Sequence, residues 1–313
     1  MKTIQEMLAE KDGHSDSQSV RYLGTVEAYD KWAEVYDTDG NFLQRLDTME
    51  MKRILPRFLE CVYARFHDQP TRSERMALLD LGCGTGRNTI QLLNALAVQE
   101  QEETTSKPDG PPVPNVHVIG LDASPGMLKV ARSAIDEAMG AGGAPANPRY
   151  TGPKVVLGTI DLLLQPAALR TQLPPLLRDT GAAGVICTLV LEHAPLRQFF
   201  QATSATMCPG GYLLLTNMHA DMGLRSQAGF TDPQSGIKIR PTSYCHSIEE
   251  IVSAAEAAGF QMEDIFRQEA SNGGVRERAI DEDLAGELGP RARKWIGITV
   301  WFGVCFSKKT SER

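Results

Sequence analysis

Nowhere in the 313 residues do two cysteines stand as a CxxC pair. Cys61, Cys83, Cys187, Cys208, Cys245 and Cys305 are scattered, so neither a zinc knuckle nor a redox dithiol is signalled, and reduced thiols packing as small apolar groups are expected. No stretch approaches the ~20 apolar residues that span a bilayer, so no membrane partner is expected. The opening MKTIQEMLAEKDGHSDSQS has no continuous apolar run and carries acids, which argues against a secretory or mitochondrial leader and for a cytoplasmic location. Basic residues are outnumbered 32 to 39, for a net charge of −7. A surface of that sign repels phosphate backbones, and no nucleic-acid partner is expected. Arg291, Arg293 and Lys294 read as a solvated helix face.

What is there is alternation. A chain of this length buries one substantial core with an appended cap. Residues 1–20 are polar and read as a flexible terminus. In VEAYDKWAEVY, Tyr29, Trp32, Ala33 and Tyr36 fall at i, i+3, i+4 and i+7, one face of a helix. Residues 43–66 form a second amphipathic stretch, and Pro56 predicts two helices or one kinked helix. Together, residues 21–70 read as a helical cap on a domain spanning 71–313. Within that domain, strands at 76–81, 116–122, 154–159, 183–188 and 211–216 alternate with helices at 88–98, 125–139 and 196–207. Residues 100–115 are an acidic, proline-rich surface insertion. Ser247 and Glu250 make a capping box for a helix that Gly259 closes, and strands at 262–270 and 296–306 end the pattern. The expected class is a doubly wound α/β fold, with a mostly parallel sheet covered on both faces.

The most informative residues are Leu78-Leu-Asp-Leu-Gly-Cys-Gly-Thr-Gly86. Glycines 82, 84 and 86 lie between a buried strand and a helix, where the chain turns sharply and a ligand can approach without Cβ interference. The spacing is GxGxG rather than the GxGxxG that lays a pyrophosphate on a helix terminus. Asp80, just before the turn, would repel a pyrophosphate and suits a cationic ligand. An acid for ribose hydroxyls is needed at the end of the next strand, about 20 residues on in a compact unit. Asp122 follows Gly86 by 36 residues, and excising the 16-residue insertion brings this to 20. Asp161, after the third strand, can accept from an adenine amino group.

DLGCGTGRNT, GLDASPGMLKVAR, VLEH and MCPGGYLLLTN resemble, in that order, the seven-stranded S-adenosylmethionine-dependent methyltransferases. AYDKWAEVYD resembles the cofactor-covering helix of their type-11, ubiquinone-biosynthesis-like branch. The resemblance implies a seven-stranded sheet with its last strand antiparallel and S-adenosylmethionine as cofactor. It implies cofactor contacts at Asp80, Gly82, Cys83, Gly84, Asp122, Ala123, Met127, Asp161 and Thr188, with Tyr29, Trp32 and Tyr36 facing the cofactor or acceptor.

Methyl transfer from an activated donor needs alignment and water exclusion, and a base only where the nucleophile sheds a proton. His193, His219 and His246 are the candidate bases, with His219 the first choice. TNMHADMG, AGFTD and SYCHS resemble fungal secondary-metabolite N- and O-methyltransferases, which implies transfer to N or O of a small molecule. The alternatives are a protein methyltransferase and a non-catalytic regulator that binds the same cofactor. Glu192-His193 echoes a metal-binding ExxEH motif, but Leu189 stands where the first acid belongs and cannot ligate, so no metal is expected.

Overall fold

The computed structural model describes residues 3–6, 20–67, 75–106, 115–141, 153–163, 166–266 and 273–310. Its centre is a set of parallel strands: β2 (Arg75–Leu81), β3 (Asn115–Asp122), β4 (Lys154–Thr159), β5 (Ala182–Thr188) and β6 (Met207–Met218). They lie in the order β4-β3-β2-β5-β6, and β11 (Thr299–Lys308) runs antiparallel beside β6. The strand order reverses at β2, which has β3 on one side and β5 on the other. A crevice at the carboxyl ends of the strands opens at such a reversal.

Period-two alternation gives the sheet two apolar faces. Leu78, Val118, Ile186 and Leu214 look one way, while Leu79, Ile119, Val185 and Leu215 look the other. The first face is covered by α2 (Phe42–His67) and α3 (Arg87–Ser106), through residues such as Phe58 and Leu92. The second is covered by α7 (Leu196–Thr206) and α9 (Ile248–Ala257), through Phe199 and Ile251. Ser247 and Glu250 make the expected capping box on α9.

Several boundaries differ from expectation. Helix α2 is continuous through Pro56, because Pro56 and Lys52 are both exposed and water can take the carbonyl that proline leaves unbonded. It covers the sheet and so belongs to the core layer rather than the cap. Helix α3 runs on to Ser106, into the expected insertion, of which 107–114 lie outside the described residues. The expected strand at 262–270 is β9 (Phe260–Glu263), with 267–270 outside the described residues. β9 and β10 (Val275–Ala279) share one edge of β11, end to end. Among the described residues the sheet therefore has eight strands in seven positions, with β11 alone reversed.

A second sheet joins distant segments. β1 (Val20–Leu23) pairs in parallel with β8 (Lys238–Pro241), and β7 (Phe230–Thr231) pairs with β8 antiparallel. Helix α1 (Thr25–Trp32) packs against it through Trp32, which stacks on Phe230 at 5.0 Å. Ala28, Ile239 and Met127 complete this small core. Met127 belongs to α4 (Pro125–Ala141), so the cap rests on the helix that follows β3. Among the described residues no helix is long and apolar enough to cross a membrane.

Candidate active site

The turn after β2 is held by main-chain bonds: the N–H groups of Gly82 and Cys83 both donate to the Leu121 carbonyl, at 2.7 and 3.1 Å. Its glycines take left-handed φ values of 75°, 54° and 84° for different reasons. A Cβ on Gly82 would overlap the Val190 side chain, whereas one on Gly84 would enter open space. Gly84 thus presents bare backbone where a ligand can lie. Cys83 is buried, and burial pushes its thiol well up, so it packs rather than reacts.

Acids flank this turn. Asp122, at the end of β3, accepts from Gly84 N–H and Ser124 N–H, each at 2.8 Å. Burial raises its carboxyl, opposed by those donors. Ala123 stands between Asp122 and Ser124. Asp161, just past β4, is exposed and accepts from Leu163 N–H at 2.8 Å, and the neighbouring Ile160 N–H donates to the Asp122 carbonyl at 3.0 Å. Asp80 is fully buried: Oδ2 accepts from the Thr89 hydroxyl at 2.6 Å, and Oδ1 has no partner among the described residues. Burial pushes its carboxyl up to about 7.

Short polar contacts fasten the cap to this turn. Asp30 on α1 accepts from the Ser124 hydroxyl at 2.5 Å and from Gly126 N–H at 2.8 Å. Thr85 donates to Asp37 at 2.9 Å. Tyr36 lies just beyond α1 rather than on it, yet its ring remains with those of Tyr29 and Trp32, at 5.9 and 5.1 Å.

On the acceptor side, Leu189 follows β5 with φ of 56°, the one non-glycine residue in the left-handed region among those described. Such strain in a side chain's backbone costs ~1–3 kcal/mol and concentrates at functional sites. The bend leads into the turn Leu191–His193. The Thr242 carbonyl, 2.9 Å from His193 Nδ1, only accepts, so Nδ1 bears the proton and Nε2 accepts a hydrogen bond from the Tyr29 hydroxyl at 2.7 Å. Burial holds the Tyr29 phenol well above its usual range, consistent with its role as donor.

The other histidines are differently placed. His219 accepts at Nδ1 from Asp221 N–H at 3.1 Å, and its Nε2 faces Glu277 at 3.1 Å. A neutral ring there spends its lone pair on the helix cap, leaving none for a substrate. His246 is buried, lies 3.1 Å from the Ala194 carbonyl through Nε2, and stacks on Tyr244; burial lowers its ring pKa.

A buried network beneath the site was not foreseen. Asp47 on α2 accepts from Arg87 and Asn88 at Oδ2, at 2.8 and 2.9 Å, and from Thr216 and Trp301 at Oδ1, at 2.6 and 3.0 Å. Asn88 also donates to Thr188, at 2.8 Å. One carboxylate thus ties α2 and α3 to β6 and β11 and, through Asn88, to β5. The available signal was an acid on an apolar helix stripe, beside Leu43, Leu46 and Met51.

A family model described as a methyltransferase domain matches residues 72–141, the stretch that carries the glycine turn and Asp122. A protein of Emericella nidulans described as an uncharacterized methyltransferase is 47% identical over 311 residues, covering 97% of this chain and 99% of that protein. This chain belongs to the methyltransferases. More distant are two crystal structures of S-adenosylmethionine-dependent methyltransferases. One, a putative enzyme from Listeria monocytogenes, is 14% identical, with a TM-score of 0.46 over 84% of this chain and 98% of that one. The other, from Methanosarcina mazei, is 13% identical, with a TM-score of 0.45 over 76% and 95%.

The resemblance of the glycine turn and its flanking acids implies S-adenosylmethionine as the methyl donor. The residues present fit it: open space at Gly84, a carboxylate at Asp122, and an unpartnered buried oxygen on Asp80 for a positively charged group. When bound, the donor supplies an activated methyl on a sulfonium; alignment and exclusion of water fall to the chain.

Proposed function

We propose that this methyltransferase delivers the methyl group to a nitrogen or oxygen of a small molecule enclosed beneath the cap, as in the fungal secondary-metabolite enzymes it resembles. The observation that carries this reading is the Tyr29–His193 hydrogen bond, which fastens the cap helix to the turn following β5. An acceptor beside that bond would lie between α1, with the small sheet it packs on, and the turn after β5, beneath a cap rather than on an open face. Asp80, Gly82, Cys83, Gly84, Asp122, Ala123, Met127, Asp161 and Thr188 frame the donor; Tyr29, Trp32 and Tyr36 cover it. Where the nucleophile sheds a proton, the Tyr29 hydroxyl takes it while passing its own to His193 Nε2, and Thr242 holds the ring's other proton in place. The test uses S-adenosylmethionine labelled in its methyl group and a cell extract divided by ultrafiltration. Label is expected in the small-molecule fraction. Incorporation confined to the macromolecular fraction would falsify the reading.

A further inference from the structure

Beside His193 a second buried carboxyl has an oxygen with no hydrogen bond among the described residues. Glu192 is 5% exposed, and its Oε2 makes no hydrogen bond among the described residues. No lysine or arginine pairs with it among the described residues, and His193 Nε2 lies 3.8 Å from its Oε1. A buried carboxylate is best held when a cation joins it. Through His193, which bonds the Tyr29 hydroxyl at 2.7 Å, Glu192 lies next to the aromatic cluster of the cap, where burial above all, with the Glu192 charge adding to it, raises the phenols of Tyr29 and Tyr36. The rings of Tyr29, Trp32 and Tyr36 lie 5.1 to 5.9 Å apart.

A carboxylate next to aromatic rings is the chemistry that recognises an ammonium group: the charge supplies attraction and the ring faces add cation–π energy. A hydroxyl gains little from either. The donor's own ammonium has the free oxygen of Asp80 to meet, which leaves Glu192 for a second cation.

We propose that the acceptor is an amine arriving as its ammonium ion, and that Glu192 is the residue that selects it. This rests on the small-molecule reading above. One proton of the ammonium passes to the Tyr29 hydroxyl as that hydroxyl hands its own proton to His193 Nε2, and Glu192 then faces the imidazolium. The freed nitrogen lone pair forms the new N–CH3 bond as the S–CH3 bond breaks, its electron pair staying on sulfur. The products are a methylammonium and a neutral thioether, and His193 returns its proton to solvent.

The experiment measures methyl transfer by the full chain to matched pairs sharing one skeleton: 2-phenylethylamine and 2-phenylethanol, tryptamine and tryptophol, hexylamine and hexanol. Each amine that is methylated should exceed its alcohol by about tenfold or more, as expected for a charged hydrogen bond. Glu192→Gln should lower kcat/KM for that amine by about tenfold or more, with affinity for S-adenosylhomocysteine unchanged. Alcohols methylated as well as amines, no amine methylated, or an unaffected Glu192→Gln variant each overturn the proposal. The paired comparison in the wild-type chain stands even if the variant does not fold. Wild-type protein that fails to bind S-adenosylhomocysteine strikes the parent reading instead.

Discussion

The Tyr29 hydroxyl meets His193 Nε2 at 2.7 Å across 164 residues of chain. One partner comes from the amino-terminal helix and the other from the turn after β5, so a single bond joins the cap to the carboxyl edge of the sheet. Thr242, just past the small sheet, fixes the imidazole from behind. The cap, the turn after β5 and the segment after β8 are thereby held in one chain of contacts.

This bond should be measurable as a coupling. Tyr29→Phe and His193→Gln, singly and together, form a double-mutant cycle, and its coupling free energy is expected at about 0.5–1.5 kcal/mol in urea unfolding. Tyr29→Phe should also slow methyl transfer while leaving S-adenosylhomocysteine affinity nearly unchanged. Strict additivity of the two changes would argue against the latch.

Two glycines of one turn should respond differently. An alanine at Gly84 meets no atom and pays only the left-handed backbone, roughly 1–2 kcal/mol, so the protein should fold but bind donor poorly. At Gly82 the new methyl overlaps Val190, a stiff β-branched side chain, adding about 1–3 kcal/mol of overpacking. Val190→Ala should recover stability in the Gly82→Ala background and not in Gly84→Ala. Calorimetric titration and thermal unfolding read the two effects separately.

The parts visible in the sequence are those whose signals are local. The glycine turn, Asp122 at a strand end, and the Ser247–Glu250 cap each lie within a few residues of what they organise. Tertiary pairing carries the rest. β1 finds β8 more than 200 residues away, and the split of one edge position between β9 and β10 depends on how both register on β11. His219 looked like a base because it follows a strand end. The neighbouring Asp221 N–H and the distant Glu277, which occupy its ring, have no signature in spacing. Asp47 is hidden for the opposite reason: nothing local shows that its helix lies on the sheet, so an acid on its apolar stripe has no evident core to face.

Asp47 gives a stability prediction. Removing a fully buried carboxylate that serves four donors leaves Arg87, Asn88, Thr216 and Trp301 without it. Asp47→Ala should cost about 3–5 kcal/mol, the range for breaking a buried ion pair. Asp47→Asn, which keeps the shape and part of the bonding, should cost less. Urea unfolding of the two variants against wild type decides it, and a loss near that of a surface substitution would remove Asp47 as the hub.

Asp80 joins stability to donor binding through pH. Its carboxyl rises from an ordinary 3.8 to about 7 because it is buried, with Thr89 only partly compensating. Between about pH 4 and 7 the folded protein therefore holds a proton that the unfolded chain has released. Stability must fall as pH rises through that window and level off above it. Asp80→Asn removes this penalty, so without donor its thermal midpoint should exceed that of wild type by a margin that grows from pH 5 to pH 8. Donor binding should run the other way, since a positively charged group beside Oδ1 favours the ionised form. Wild-type affinity for S-adenosylmethionine should strengthen from pH 6 to pH 8, while that of Asp80→Asn stays lower and nearly flat. If both proteins bound the donor equally at pH 8, Asp80 would be a buried structural acid with no part in holding the cation.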